Sequence, residues 1–315
     1  MENDLLAIRH RLLGTIRAFF FGQGYIEVET PALIRNAPPD PHIDPLSVYI
    51  GNKGPYYLHT SPEMHMKKLL QFGHERMFQI CKVYRIEETE EIHSTEFTML
   101  EWYRKGTYTE AMEEVESFVR YVSDRLGSAR EGRFKESFVA YDLEKLVAEI
   151  SGFNPFLLNR DGLSEAMKSI GFGGIDDKDT WNDLFFKLFI QKVEPKIAGE
   201  APYFIRDWPS SISTMARKKA PNKVERFELY MNKMEIANGY TELLDPEEQR
   251  NRFIVDNDER KRLGKNTFEV DEGFLEALSK TKGSYAGVSV GVDRLFMALL
   301  EKQNIDDVMI NRFRG

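Results

Sequence analysis

Apolar residues at Leu5, Ile8, Leu12, Ile16 and Phe19 recur at helical spacing, with Leu6, Leu13 and Phe20 widening the stripe, and predict an amphipathic helix. Gly22 and Gly24 provide its stop. Tyr25 to Glu29 then alternate as a strand, halted by Pro31. Four prolines between Asn36 and Pro45 predict an irregular loop. At Thr60-Ser61-Pro62 a second helix opens: Ser61 can cap it and Pro62 suits the first helical position, which puts Glu63 in the first turn. Residues 108–126 predict another helix. From Arg130 to about Ala201 helical patterns alternate with Gly- and Asp-rich turns, and Trp181, Phe185, Phe186 and Phe189 share a spacing expected of core. This stretch reads as a mostly helical insertion on a single domain spanning residues 1–315.

The run from Phe78 to Tyr103 has a different period. It predicts a β-hairpin with a long acidic loop, and along its far strand Phe97, Met99, Glu101 and Tyr103 point one way while Glu96, Thr98, Leu100 and Trp102 point the other. A carboxylate among Phe, Met and Tyr is costly to desolvate without a partner, and a cationic ligand supplies one. Arg85 ends the near strand and Glu87 follows, so the mouth of the hairpin suits a ligand that is both anionic and cationic. A second hairpin, Phe227 to Ala237, turns at Asn232-Lys233. A two-residue turn pairs Tyr230 with Glu235 and Glu228 with Ala237, and places all four on one face. Two carboxylates there repel unless a cation intervenes, and magnesium is commonly held by one or two carboxylates plus substrate phosphates. Glu242 follows close behind in NGYTEL. In Gly287–Arg294, Val288, Val290 and Val292 share one strand face, while Gly287, Ser289 and Gly291 leave the other open to close approach. Arg294, at the junction with a helix, is placed for phosphate.

Neither a P-loop nor a G-x-G-x-x-G turn occurs, and the six histidines are too scattered for a zinc set. The net charge of −8 argues against non-specific nucleic-acid binding; Arg217, Lys218, Lys219 and Lys223 form the one local basic run and read as a solvated loop. With Cys81 alone no internal disulfide forms, and it reads as a buried strand residue. No signal peptide or membrane span is apparent, so a cytoplasmic location is expected.

These segments, in this order, resemble the class II aminoacyl-tRNA synthetase core. Gly24–Pro31 is similar to its motif 1, Arg85 through Phe97 to motif 2, and Gly287–Arg294 to motif 3. TSPE, EFTMLEWY, ERFELY and EIANGYTEL resemble the lysyl branch. Motif 1 follows after about one helix, so the anticodon-binding domain of the lysyl enzymes is expected to be absent, and the chain is most similar to the freestanding lysyl-type ligases that modify elongation factor P. The resemblance implies an α+β fold, a mainly antiparallel sheet flanked by helices, with the insertion at about 130–200 between motifs 2 and 3. It implies ATP and Mg2+ as cofactors, lysine or (R)-β-lysine as substrate, elongation factor P as acceptor, no tRNA, and a homodimer. Arg85 and Arg294 become the catalytic pair. ATP would meet Arg85, Glu87, Ser94, Phe97, Glu235, Ile236, Gly291 and Arg294, with Glu228 and Glu235 on the metal. The amino acid would meet Ser61, Glu63, Glu101, Tyr103, Ala237, Asn238, Glu242 and Ser289. The chain departs from the pattern at Ile86 and Ser94, where Asn is usual, at Glu90 and Glu91, where a basic residue is common, and at Ser289. The alternatives are a lysine-activating enzyme with another acceptor and a non-catalytic regulatory paralogue.

Overall fold

A computed structural model describes residues 5–86, 91–126, 134–199, 201–212 and 215–312. The first stripe folds as α1 (Leu5–Gly22), with Leu12, Ile16, Phe19 and Phe20 buried. Gly24, at φ +76°, turns the chain into β1 (Ile26–Glu27), shorter than the expected Tyr25–Glu29 because Ile26 and Glu27 are the residues that find a partner strand. β2 (Leu33–Ile34), β3 (Ser47–Ile50) and β4 (Lys53–Leu58) make a small separate sheet, with the proline-rich loop between β2 and β3. α2 (Glu63–Leu69) begins after Pro62, and Ser61 Oγ accepts from the Glu63 N–H at 3.0 Å.

The first hairpin is β5 (Arg76–Tyr84) with β6 (Glu96–Lys105), and α3 (Tyr108–Leu126) follows. The insertion holds β7 (Val139–Asp142), α4 (Leu143–Ser151), α5 (Arg160–Ser169), α6 (Trp181–Leu188) and α7 (Glu194–Ile197), and leads to β8 (Tyr203–Arg206). It is not wholly helical: β7 runs parallel to β8 and extends the main sheet, a role that four residues between helical patterns do not announce. Phe185 and Phe189 are buried in a second core that the insertion shares with the neighbouring strands through Tyr203, Ile205 and Tyr230, with Trp181 and Phe186 packed against it.

After β9 (Lys218–Ala220) and β10 (Lys223–Val224) comes the second hairpin, β11 (Arg226–Met231) with β12 (Met234–Thr241). Then follow α8 (Pro246–Arg262), α9 (Glu272–Lys280), β13 (Tyr285–Gly291) and α10 (Val292–Leu300). The basic run is a paired ribbon rather than a solvated loop. Arg217 bonds Glu225, Lys218 meets Glu248, Lys219 meets Asp207, and Lys223 meets Glu144.

The main sheet has eight strands in the order β1-β5-β6-β13-β12-β11-β8-β7, antiparallel except for the outermost pair at each edge. α1, α3 and α10 cover one face. Phe20, Trp102, Phe118, Val288 and Phe296 are among the fully buried residues there, each contributing roughly 1.5–3 kcal/mol by leaving water. The opposite face carries the polar side chains of the same strands. Among the described residues no helix is long and apolar enough to cross a membrane.

Candidate active site

On that polar face two cavities adjoin, of about 190 and 280 Å³. Asp40, Ile43, Arg85, Met99, Arg226, Asn238 and Ser289 line both, so they are two lobes of one cleft. β6 and β13 set the floor through their alternation. Met99, Glu101 and Tyr103 face the cleft, opposite Gly291, Ser289 and Gly287, while Leu100 and Trp102 face the core with Val288 and Val290.

The first lobe brings together Ser61, Glu63, Glu101, Tyr103 and Glu242. Glu101 is buried and accepts from Ser61 Oγ and from the Tyr103 hydroxyl, each at 2.6 Å. Burial pushes its carboxyl up to about 7, the Glu63 charge adds to this, and the two hydroxyls oppose it. Burial likewise pushes Glu242 up to about 8, against the pull of Lys67. Tyr240 donates to Glu63. A Cβ on Gly287 would collide with Glu242 Oε1 and with the Tyr103 ring, so the glycine is what lets the two polar groups meet over the strand.

The second lobe holds Ser94, Phe97, Glu235, Ile236, Gly291 and Arg294. Arg294 donates to the Ile92 and Glu235 carbonyls at 3.4 and 3.3 Å, long bonds that leave most of a guanidinium's donors for a ligand. Arg85 stands between the lobes. Its guanidinium lies 5.2 Å from the Phe97 ring centroid and its Nε donates to the Thr60 carbonyl at 3.2 Å. Ser94 Oγ is buried without a hydrogen-bond partner among the described residues. Ile86 is exposed. Glu87 and Glu90 lie outside the described residues.

One register expectation fails. β11 and β12 pair as Tyr230↔Glu235, but a bulge then shifts the ladder, so Leu229 opposes Ala237 and Glu228 opposes Asn238. Ala237 therefore leaves the face of Glu228, and its side chain belongs to the core cluster, although the residue still borders the second lobe. Glu228 borders neither lobe. It lies beneath them, with Oε1 held by Arg226 at 2.6 Å and Oε2 by the Tyr230 hydroxyl at 2.7 Å. Burial and then the Glu235 charge push it up to about 8. The burial of Glu228 beside the Glu235 charge is a cost that a cation would relieve, though no cluster of three or more metal-binding side chains exists among the described residues. Cys81 is half-buried on β5, and burial raises its thiol to about 12, which removes it as a nucleophile.

Four groups escaped the sequence reading. Lys67 is buried behind the first lobe between Glu63 and Glu242; a lysine in a helix reads as solvated. Arg226 pairs with Glu228 and donates to Asn238 Oδ1 at 3.0 Å. Asp293 accepts from the Thr98 N–H at 2.7 Å and meets Arg9 at 2.8 Å, fixing the start of α10 on β6. The proline-rich loop roofs the cleft through Asp40 and Ile43, clamped by the buried Arg260, which donates to the Asp40 carbonyl and to Asp44 Oδ1 at 2.6 Å each. The prolines of this loop were visible in the sequence; its distant clamp was not.

A family model described as tRNA synthetases class II (D, K and N) matches residues 2–311. Similar proteins include the elongation factor P–(R)-β-lysine ligase of Haemophilus influenzae (strain PittGG), 37% identical over 308 residues, covering 96% of this chain and 92% of the relative. The protein of that name from Vibrio atlanticus (strain LGP32) is 35% identical over 310 residues, covering 95% and 93%. That from Pectobacterium atrosepticum is 35% identical over 313 residues, covering 96% and 92%.

Proposed function

Because this chain belongs to the class II tRNA synthetase family (D, K and N), we propose that it is an ATP-dependent ligase that activates (R)-β-lysine or lysine as an acyl-adenylate and transfers it to a lysine side chain of elongation factor P. One observation carries the reading: a lobe of buried carboxylates and a lobe of arginines with an aromatic ring meet at Arg85. A diamino acid needs the first, a nucleotide triphosphate the second, and their reacting groups must meet where the lobes join.

In this reading Glu101, Tyr103 and Glu242 receive the side-chain ammonium, while Ser61 and Glu63 receive the other amine. Arg85 holds the substrate carboxylate against the α-phosphate. Phe97 offers a stacking face to the adenine, Glu87 its edge contact, and Arg294 reaches the outer phosphates. Glu228 and Glu235 would hold Mg2+, which when bound neutralises phosphate charge. The carboxylate oxygen attacks the α-phosphate in line, pyrophosphate leaves, and an acceptor amine then displaces AMP from the acyl carbon with loss of a proton. The protein's part is positioning and charge neutralisation. Ser289, whose hydroxyl reaches the Asn238 carbonyl at 3.3 Å, stands on the floor shared by both lobes and is placed to bear on the choice of lysine isomer. A cytoplasmic homodimer with no tRNA substrate accompanies this reading; Phe21, Ile26 and Leu33, around motif 1, are exposed in the single chain.

The test is the intact mass of elongation factor P after incubation with this protein and Mg-ATP, with (R)-β-lysine or L-lysine in parallel and a tRNA charging control. A lysyl-sized gain on the factor with uncharged tRNA is expected. Charged tRNA with an unmodified factor would move the chain to the synthetase side, and silence in every tube would favour a regulatory paralogue.

A further inference from the structure

Lys67 is 1% exposed, and a lysine that deep needs carboxylate partners to stay charged. Its Nζ lies 2.5 Å from Glu242 Oε2 and is bonded to Glu63, with the Tyr240 hydroxyl at 3.5 Å. Burial works against the ammonium, but the Glu242 and Glu63 charges outweigh it and raise its pKa. Glu101 on β6 adds a further carboxylate, hydrogen-bonded by the neutral Tyr103, and the neighbouring Lys68 is taken by Asp271, the cap of α9.

The two oxygens of Glu242 are used differently. Oε2 faces Lys67. Both are buried without a hydrogen-bond donor among the described residues, but the Lys67 ion pair is made to Oε2, whereas Oε1 is the oxygen reached over the missing Cβ of Gly287. We propose that Lys67 is a positioning residue for ligand capture: it anchors Oε2 from behind and eases the ionisation of Glu242, leaving Oε1 for the ammonium of an amino-acid ligand. The charges agree. Around Lys67 three carboxylates, Glu63, Glu101 and Glu242, share one ammonium, so their ionisation calls for further positive charge, which the two ammoniums of a diamino acid bring. Lys67 thereby tunes the lobe to that substrate class. The inference rests on this lobe being the amino-acid site.

The test is the affinity of the full chain for L-lysine or (R)-β-lysine, whichever the wild type binds, by calorimetry across pH. Without Lys67 the Glu242 carboxyl holds its proton to higher pH. Lys67→Met is therefore expected to weaken binding at least ~10-fold near pH 7 and to recover to within about threefold of wild type near pH 9.5. A purely structural role would lose affinity equally at every pH, and that result, or no loss, overturns the inference. Glu242→Gln/Lys67→Met removes both charges together and guards against a single variant that does not fold. It is expected to bind as Glu242→Gln does, because Lys67 acts through Glu242; a further additive loss overturns the proposal. A wild type that binds neither lysine isomer overturns the function proposed above and this inference with it, whereas a binding wild type with an unmoved variant overturns this inference alone.

Discussion

The two lobes of the cleft solve opposite problems by opposite means. In the first, the glutamates are packed against hydroxyls or an ammonium: Glu101 against Ser61 and Tyr103, Glu63 against Tyr240 and Lys67. In the second, Arg294 leans on two backbone carbonyls through long bonds, and Arg85 rests on a ring face. Carboxylates taken out of water tend to gain protons, so a site for ammonium must hold its carboxylates fixed and ready to ionise when the ligand arrives. A guanidinium stays charged in any surrounding. It can be tethered loosely and still be ready for phosphate. Rigidity in one lobe and slack in the other follow from the chemistry of the ions each would hold.

The largest expected effect tests the slack side. Arg294→Ala should lower lysine-dependent ATP–pyrophosphate exchange by about 10³-fold or more while leaving the melting curve near wild type, since the side chain makes weak internal bonds. Near-normal exchange would break the contrast, because the second lobe would then not need its free guanidinium. The rigid side is sharpened by pH. Glu101 and Glu242 have folded values of about 7 and 8 against an ordinary 4.5. The folded chain thus binds their protons more tightly than the unfolded one. This favours the fold below about 4.5 and is lost as pH rises through 7 and 8. The melting temperature of the ligand-free chain should fall between about pH 6 and 8.5, and the added stabilisation by lysine should grow over the same interval. A flat profile with and without lysine would show that these carboxylates do not titrate with the ligand. The smallest effect lies on the shared floor. Ser289→Ala removes one long hydrogen bond and a methyl-sized polar group, and should change the ratio of exchange rates for the two lysine isomers by only a few fold. An unchanged ratio would place isomer choice elsewhere in the first lobe.

Both faces of β6 and β13 were legible in the sequence because a period of two fixes a side chain's direction wherever the strand runs without interruption. The same reasoning failed on β11 and β12. A bulge adds one residue beyond Tyr230 and Glu235, and everything past it is displaced by one position, so Glu228 moves to Asn238 and Ala237 drops to the core side. Short strands also escaped: β7 has four residues and is made a strand by its neighbour, not by its own pattern. Lys67, Arg226 and Arg260 were invisible for a third reason. A basic residue in a sequence looks solvated until a carboxylate or carbonyl is folded against it, and the partners of Arg260 in the proline-rich loop are more than two hundred positions away.

The order of strands in the main sheet also sets an order of events during synthesis. β13 lies between β6 and β12, yet it is the last strand of the chain to be made. Until it leaves the ribosome the two hairpins cannot share a sheet, and β6 and β12 each present an open edge to the surroundings. Neither lobe has its floor at that stage. At about 5–20 residues per second, the wait between β6 and β13 lasts on the order of ten seconds or more. Over that interval the nascent chain is a natural client for holding chaperones, and the second lobe is complete only when Arg294 of α10 has followed β13 out.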